Sequence, residues 1–231
     1  AAALFTQALD IAREIGNEHS VGIHLGNLGN IYRQQGDLNR GRSHYTQALN
    51  IARKIGNKRS EGSSLANLGS TYHLKGELDL ADSHYTQALK IAREIGNKRS
   101  ETLTLSSLGI IYLNRGDLDQ AGAHHIQALK IAQEIGDRYN EGINLGNLGD
   151  ILFQQDRLEE AEDAFRKAIP ISDDTCPPAA GAFRGSLAQL LAQKDQCDEA
   201  QELLKIGEPQ VTAFRNEHAK LLCKKGHVQL L

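Results

Sequence analysis

Three histidines recur forty residues apart, at His44, His84 and His124. Imidazole is the commonest side-chain ligand for metals, so a periodic histidine invites a metal-site reading. The spacing argues against it. Each histidine sits in its own repeat of the chain, and packed helices lie roughly 10 Å apart, whereas zinc ligands sit about 2 Å from the ion. The histidines therefore read as packing or surface residues. Cys176, Cys197 and Cys223 all lie in the last quarter of the chain, without a CxxC pair or a ligand-spaced partner. They suit small, reduced, buried or half-buried thiols of a cytoplasmic protein. The sequence has no phosphate loop of the GxxxxGKS or GxxxxGKT type, no GxSxG, no HExxH and no carboxylate pair at a catalytic spacing. No catalytic or metal residue and no cofactor is expected.

Two other recurring sets carry polar chemistry. Asn27, Asn67 and Asn147 occupy one slot of the period, with Ser107 in the third copy. An amide side chain both donates to and accepts from a peptide backbone, or it caps and bridges neighbouring helices. Lys58-Arg59 and Lys98-Arg99 form a repeated basic turn, each followed by Ser and Glu. This reads as a solvated loop beside its own counter-charge. The sharper alternative is a basic edge for an acidic partner, which would bind in a salt-sensitive way.

The elements that must position these residues follow from the period. Residues 43–61 and 83–101 differ at only two of nineteen positions. The Ala-Arg-Glu-Ile-Gly segment or its variant ends at Gly16, Gly56, Gly96 and Gly136, and Leu-Gly recurs at Leu28-Gly29, Leu68-Gly69, Leu108-Gly109 and Leu148-Gly149. Each period holds two helical patterns. The first runs from about Glu61 to Lys75, with Leu65, Leu68 and Tyr72 at three- and four-residue steps, and stops at Gly76. Position 77, occupied by Asp in the equivalents Asp37 and Asp117, reads as the N-cap of the second helix. That helix runs from about Leu78 to Ile95, burying Leu78, Ala81, Tyr85, Ala88, Leu89, Ala92 and Ile95 on one side. Gly69 and Ala88 let the two axes approach closely, and the tyrosines fill the space beside them.

Leu68, Gly69, Tyr72, Gly76, Leu78, Ala81, Tyr85 and Ala88 carry a resemblance to the tetratricopeptide repeat. The first unit departs with Gly41 for the inter-helix Ala, the third with His125 for the second aromatic, and the fourth with Asp156 for the turn Gly. The forty-residue length resembles the repeats of kinesin light chains and of the Pins/LGN spindle-orientation adaptors, and similar arrays occur in bacterial regulators. The resemblance implies an all-α fold, a right-handed superhelical solenoid of antiparallel helix hairpins with a concave groove lined by the first helices. The array is expected over residues 1–173, as a partial unit at 1–16 and units at about 17–56, 57–96, 97–136 and 137–173. Residues 174–231 read as a degenerate C-terminal cap. There Pro177 and Pro178 break the helix, Leu187, Ala188, Leu191, Cys197, Ala200 and Leu204 keep the pattern, and a further first helix spans about Val211 to Lys225. The chain starts in mid-repeat and lacks Met, so it is expected to be a piece of something longer. Helix 1–16 is expected to fray or to cover its open face with another molecule.

In this pattern the first-helix residues one step from the packed face line the groove. They are Ile23, Asn27, Asn30 and Gln34, then Ser63, Asn67, Ser70 and Leu74, then Leu103, Ser107, Ile110 and Asn114, then Ile143, Asn147, Asp150 and Gln154. Each row is spaced i, i+4, i+7, i+11, on one helix face. An extended peptide advances about 3.3 Å per residue, so one Asn could meet every third peptide residue. In peptide-binding members of the family an Asn before the Leu-Gly or Leu-Ala pair does this. Leu103 and Ile110 make the floor more apolar, and an apolar pocket is expected near the third and fourth units with Phe153 at its edge.

The expected role is a scaffold or adaptor that binds a protein or peptide in the groove. One alternative is a sensory or autoinhibitory arm of a larger signalling ATPase or kinase. Another is an architectural array that self-associates through its open ends. The 231 residues are 40% hydrophobic and 24% charged, which suits a folded, cytoplasmic chain. The net charge of -3 and the absence of a basic stripe with stacking aromatics argue against nucleic acid. No apolar run nears the roughly 20 residues that cross a bilayer, and the amphipathic start is not a signal peptide. No membrane partner is expected.

Overall fold

The computed structural model describes residues 2–212, and every regular element among them is a helix. In chain order these are α1 (Ala2–Glu14), α2 (Glu18–Gln34), α3 (Leu38–Lys54), α4 (Lys58–Leu74), α5 (Leu78–Glu94), α6 (Lys98–Asn114), α7 (Leu118–Glu134), α8 (Arg138–Gln154), α9 (Leu158–Thr175), α10 (Pro177–Gln193) and α11 (Cys197–Thr212). The chain divides into two compact units, Ala1–Ile111 and Tyr112–Leu231.

Helix boundaries have local chemical causes. At the start of the first helices, Asn17, Asn57, Asn97 and Asp137 each accept a hydrogen bond from the backbone N–H three residues on, at 3.0–3.2 Å. That cap places the start of α4 at Lys58, three residues before the expected Glu61. Asp37 and Asp117 cap α3 and α7 in the same way, at 3.0 Å. Glu77 holds the N-cap position of α5 but makes no side-chain cap bond. Its extra methylene disfavours the short Asp geometry, and the carboxylate turns to Lys75 at 2.7 Å instead. The turn glycines from Gly16 to Gly136 have φ between 65° and 81°, the left-handed conformation that closes a helix C-terminus. Asp156 and Asp195 adopt φ near 60° without being glycine.

In the first unit α1 packs on α2, α2 on α3, α3 on α4 and α4 on α5. Tyr45, Leu49, Leu65, Leu68, Ala88 and Ile91 form one buried cluster there. Gly69 admits the Tyr85 ring so closely that a Cβ would meet it at 2.9 Å. In α1, Leu9 and Ala12 are buried while Leu4 and Ile11 remain exposed, as does Ile15 in the turn that follows. Ile95 is the C-cap residue of α5 and is 37% exposed, so it lies outside the buried face assigned to it by spacing.

In the second unit α7 packs on α8, α8 on α9, α9 on α10 and α10 on α11. A larger cluster includes Leu145, Phe165, Phe183, Leu187, Leu190, Leu204 and Val211. The proline break spans one residue. Cys176 ends α9 and caps α10, whose first positions are Pro177 and Pro178. Proline suits a helix start, because the first N–H groups lack partners in any case. Val211 belongs to the last turn of α11 and so does not open a new helix. Ala219, Leu222, Cys223 and Gly226 of that expected helix lie outside the described residues. No described helix is long and apolar enough to cross a membrane.

Candidate functional site

The recurring histidines are accounted for by tyrosines. His44, His84 and His124 lie against Tyr32, Tyr72 and Tyr112 with ring centroids 5.0–5.1 Å apart. Each Nδ1 faces the backbone carbonyl four residues back, at 2.8–3.0 Å. A carbonyl only accepts, so Nδ1 carries the proton in that contact. Among the described residues no group of three His, Cys, Asp or Glu gathers as metal ligands would. Cys176 is half-buried and Cys197 exposed.

The basic turns are held by their own glutamates. Glu61 accepts from Arg53 at the end of α3 and from Lys58 at the start of α4, both at 3.1 Å. Glu101 repeats the arrangement with Arg93 at 2.9 Å and Lys98 at 3.2 Å. Burial pushes both carboxyls up, but the hydrogen bonds from Arg and Lys outweigh it and hold them below the ordinary value. These clamps tie each second helix to the next first helix.

On the first-helix faces of the first unit the rows divide by use. Asn30 accepts from the Tyr45 hydroxyl at 2.7 Å, and Arg33 reaches the same oxygen at 3.4 Å. Burial pushes the Tyr45 phenol up, against the opposing guanidinium. Ser70 and Ser107 both meet the Tyr85 hydroxyl, and Ser107 also donates to the Leu103 carbonyl at 2.9 Å. Asn27, Asn67 and Ile110 are half-buried, Gln34 is exposed, and Leu74 is 56% exposed.

Asn67 and Leu103 meet in a cavity of about 310 Å³ among α4, α5 and α6. Ser63, Arg59, Ser100 and Thr104 share its wall, and Ala88, Ile91 and Ala92 form its base. Leu103 is 47% exposed at this rim. The cavity thus offers an amide, hydroxyls, one guanidinium and an apolar floor. It opens between the second and third repeats, one repeat earlier than the pocket expected from sequence. Its polar wall residues Arg59, Ser100 and Thr104 are absent from the sequence-derived rows. Arg59 recurs as Arg99 and Ser100 as Ser20 and Ser60, but the recurring Lys-Arg-Ser segments read as solvated turns and not as part of a groove wall.

In the second unit Asn147 and Asp150 are half-buried on α8, and Asn114 and Gln154 are exposed. Phe153 packs partly buried against the large apolar cluster, which commits much of its ring. Burial pushes the Asp150 carboxyl up to about 6, with the Ser186 hydroxyl of α10 opposing the rise. Sequence periodicity did not flag Ser186, because α10 follows the shorter, degenerate spacing. His125 fills the aromatic slot of the third repeat as a fully buried ring whose Nδ1 donates to Asn144 at 2.9 Å. Arg184, buried in α10, holds Asp173 through two contacts of 2.6 Å and Gln210 through one of 2.8 Å, joining α9, α10 and α11.

A model of the MalT-like TPR region matches residues 59–223, and a tetratricopeptide repeat model matches residues 20–94. No curated protein matches the chain by sequence. Among solved structures, BtubC (BKLC) from P. vanneervenii is 18% identical, with 94% of this chain and 92% of that chain covered and a TM-score of 0.80. A Rap protein complexed with competence and sporulation factor is 17% identical, covering 91% of this chain and 60% of its own, with a TM-score of 0.73. A signal transduction ATPase with a tetratricopeptide repeat sensor, from Pyrococcus horikoshii, is 20% identical. It covers 98% of this chain but only 39% of its own, with a TM-score of 0.68. At such identities the likeness bears on fold alone.

Proposed function

This chain belongs to the tetratricopeptide repeat family, and from that premise we propose that it is a protein-interaction scaffold whose first-helix faces take an extended peptide segment of a partner. The observation that carries the reading is the cavity shared by Asn67 and Leu103. It pairs a backbone-reading amide with an apolar floor, the two ingredients an extended peptide needs: main-chain hydrogen bonds for affinity and side-chain pockets for specificity. Ser63 and Ser100 widen the choice of hydrogen-bond partners, and Arg59 adds a cation at the rim. The Asn30, Ser70 and Ser107 side chains serve the tyrosines, which leaves Asn27, Asn67 and Asn147 as the recurring amides for a ligand. The role needs no reaction and no cofactor.

The test is affinity for a peptide selected on the wild-type chain from a displayed ten-residue library. Asn67→Ala is expected to weaken binding about tenfold, equivalent to about 1.4 kcal/mol, with the thermal midpoint nearly unchanged. Undiminished affinity in that variant would remove the amide from the reading. A second reading, the sensory arm of a larger signalling protein, is favoured by the two similar structures of which this chain spans 60% and 39%. A phosphate-binding loop or kinase motif elsewhere in the same gene product would support it.

A further inference from the structure

The later repeats are joined by a clamp that the first junction lacks. Arg53 and Arg93, near the ends of α3 and α5, hold Glu61 and Glu101 of the following helices at 3.1 and 2.9 Å. Gln133 holds Glu141 in the same way at 3.2 Å. Where α1 meets α2, the register places Arg13 in the row of Arg53 and Arg93 but Val21 in the row of the glutamates. Glu18 stands where Lys58, Lys98 and Arg138 stand. Its Oε1 is engaged by Lys54 of α3 at 2.7 Å. Arg13 is left with Asp10 of its own helix, at 3.8 Å, and both side chains are more than half exposed. A contact of that length and exposure contributes little.

Space opens where the clamp is missing. A cavity of about 370 Å³ lies among α1, α2 and α3. Valine is smaller than glutamate and offers Arg13 no acceptor. Ala12, Val21 and Leu25 are buried and Ile51 half-buried in the apolar part of the lining. Arg13, Gln47 and Asn50 are its exposed polar members. Asn50 replaces the lysine of the later repeats, Lys90 and Lys130, so this lining is particular to the first repeat. The volume falls within the range of small-molecule sites, about 300–1,000 Å³. On α2 the lining comes from Glu18, Val21 and Leu25, spaced i, i+3, i+7. It includes none of the groove residues Ile23, Asn27, Asn30 and Gln34.

We propose that this cavity is a second binding site, for a small monocarboxylate with an aliphatic or aromatic tail. The ligand carboxylate takes the place of the missing glutamate on Arg13, whose guanidinium presents a fork of donors. The Gln47 and Asn50 amides add donors for the carboxylate or for a hydroxyl or keto group beside it. The tail covers Val21, Leu25 and Ile51 and gains by leaving water. The charges of the lining select a single negative charge. Arg13 is its cation and has no close partner, while Glu18 in the same lining repels a second carboxylate. The site stands independently of the peptide-binding reading, because it shares no residue with the groove rows.

The experiment titrates the full chain, labelled with nitrogen-15, with butanoate, 4-methylpentanoate and phenylacetate, and with the primary amide of each acid. The expected result is saturable shifts of the backbone amides of Arg13, Val21 and Ile51 with at least one acid, at a dissociation constant below about 1 mM. The matching amide is expected to bind tenfold or more weakly. Arg13→Gln is expected to weaken the acid tenfold or more and to leave the amide unchanged. Val21→Glu returns the glutamate of the later repeats, and is expected to abolish binding and raise the thermal midpoint. Equal affinity for acid and amide, equal affinity of wild type and Arg13→Gln, or shifts that do not saturate would each overturn the proposal. Binding of a glutamate-bearing peptide at these amides, with none of the free acids binding, would also overturn it and assign the cavity to a protein partner. If Val21→Glu does not fold, the exposed substitution Arg13→Gln decides the question by itself.

Discussion

At the residue scale, Asp150 has a consequence that does not need a ligand. Its carboxyl is raised to about 6 in the fold, chiefly by burial, from an ordinary 3.8. The folded chain therefore binds that proton more tightly than the unfolded chain, and this group opposes folding at neutral pH. The handicap fades as pH falls through about 6 toward 4. Asp150→Asn is expected to raise stability at pH 7.5 by on the order of 1 kcal/mol, with the gain about half as large at pH 5. Urea unfolding at the two pH values reads this directly, and an equal gain at both would contradict it. Glu61 and Glu101 have the opposite sign. Their lowered carboxyls contribute stability that is fully present above the ordinary 4.5 and is lost as pH falls through their folded values. Spacing assigned Asp150 to a first-helix face but was silent on the Ser186 hydroxyl that opposes the rise of its carboxyl. Ser186 lies on α10, where the forty-residue period gives way to a shorter spacing, so no recurrence points to it.

At the element scale, the Leu-Gly pair of each first helix is the contact that fixes the hairpin. The Tyr85 ring lies where a Cβ on Gly69 would be, at 2.9 Å, and Tyr85 is 5% exposed with no room to retreat. Gly69→Ala gains helix propensity but forces the ring aside, and overpacking of a filled core costs about 1–3 kcal/mol. The variant is expected to be destabilised in denaturant unfolding, and stabilisation would show that the hairpin is looser than the contact implies. The helix pairs, their glycine turns and their Asp or Asn caps were legible from the period, because each has a local chemical cause. Glu77 was the local exception. Its position in the period matched a cap, yet its longer side chain pairs with Lys75 instead. The start of α10 was harder to read. Pro177 and Pro178 signalled a break, but only the structure reduces it to the single residue Cys176.

At the scale of the whole molecule, each of the two units carries its own buried cluster, and α1 to α5 in one and α7 to α11 in the other pack on their sequence neighbours. Such arrays gain stability as a sum over adjacent contacts, which leaves side chains on the first-helix faces free to vary with the partner. That freedom explains why the periodic scaffold was plain in the sequence while the cavity wall was not. Near-identical copies identify what every repeat shares, whereas Arg59, Ser100 and Thr104 come together through packing of α4, α5 and α6. The most direct test of the peptide-binding account is a nitrogen-15 NMR titration of the chain with a library-selected peptide, reading the side-chain amide of Asn67. The account predicts a saturable shift of that amide, accompanied by the backbone amide of Leu103. Saturable shifts confined to the turns at Lys58 and Lys98, with the Asn67 amide unmoved, would contradict it.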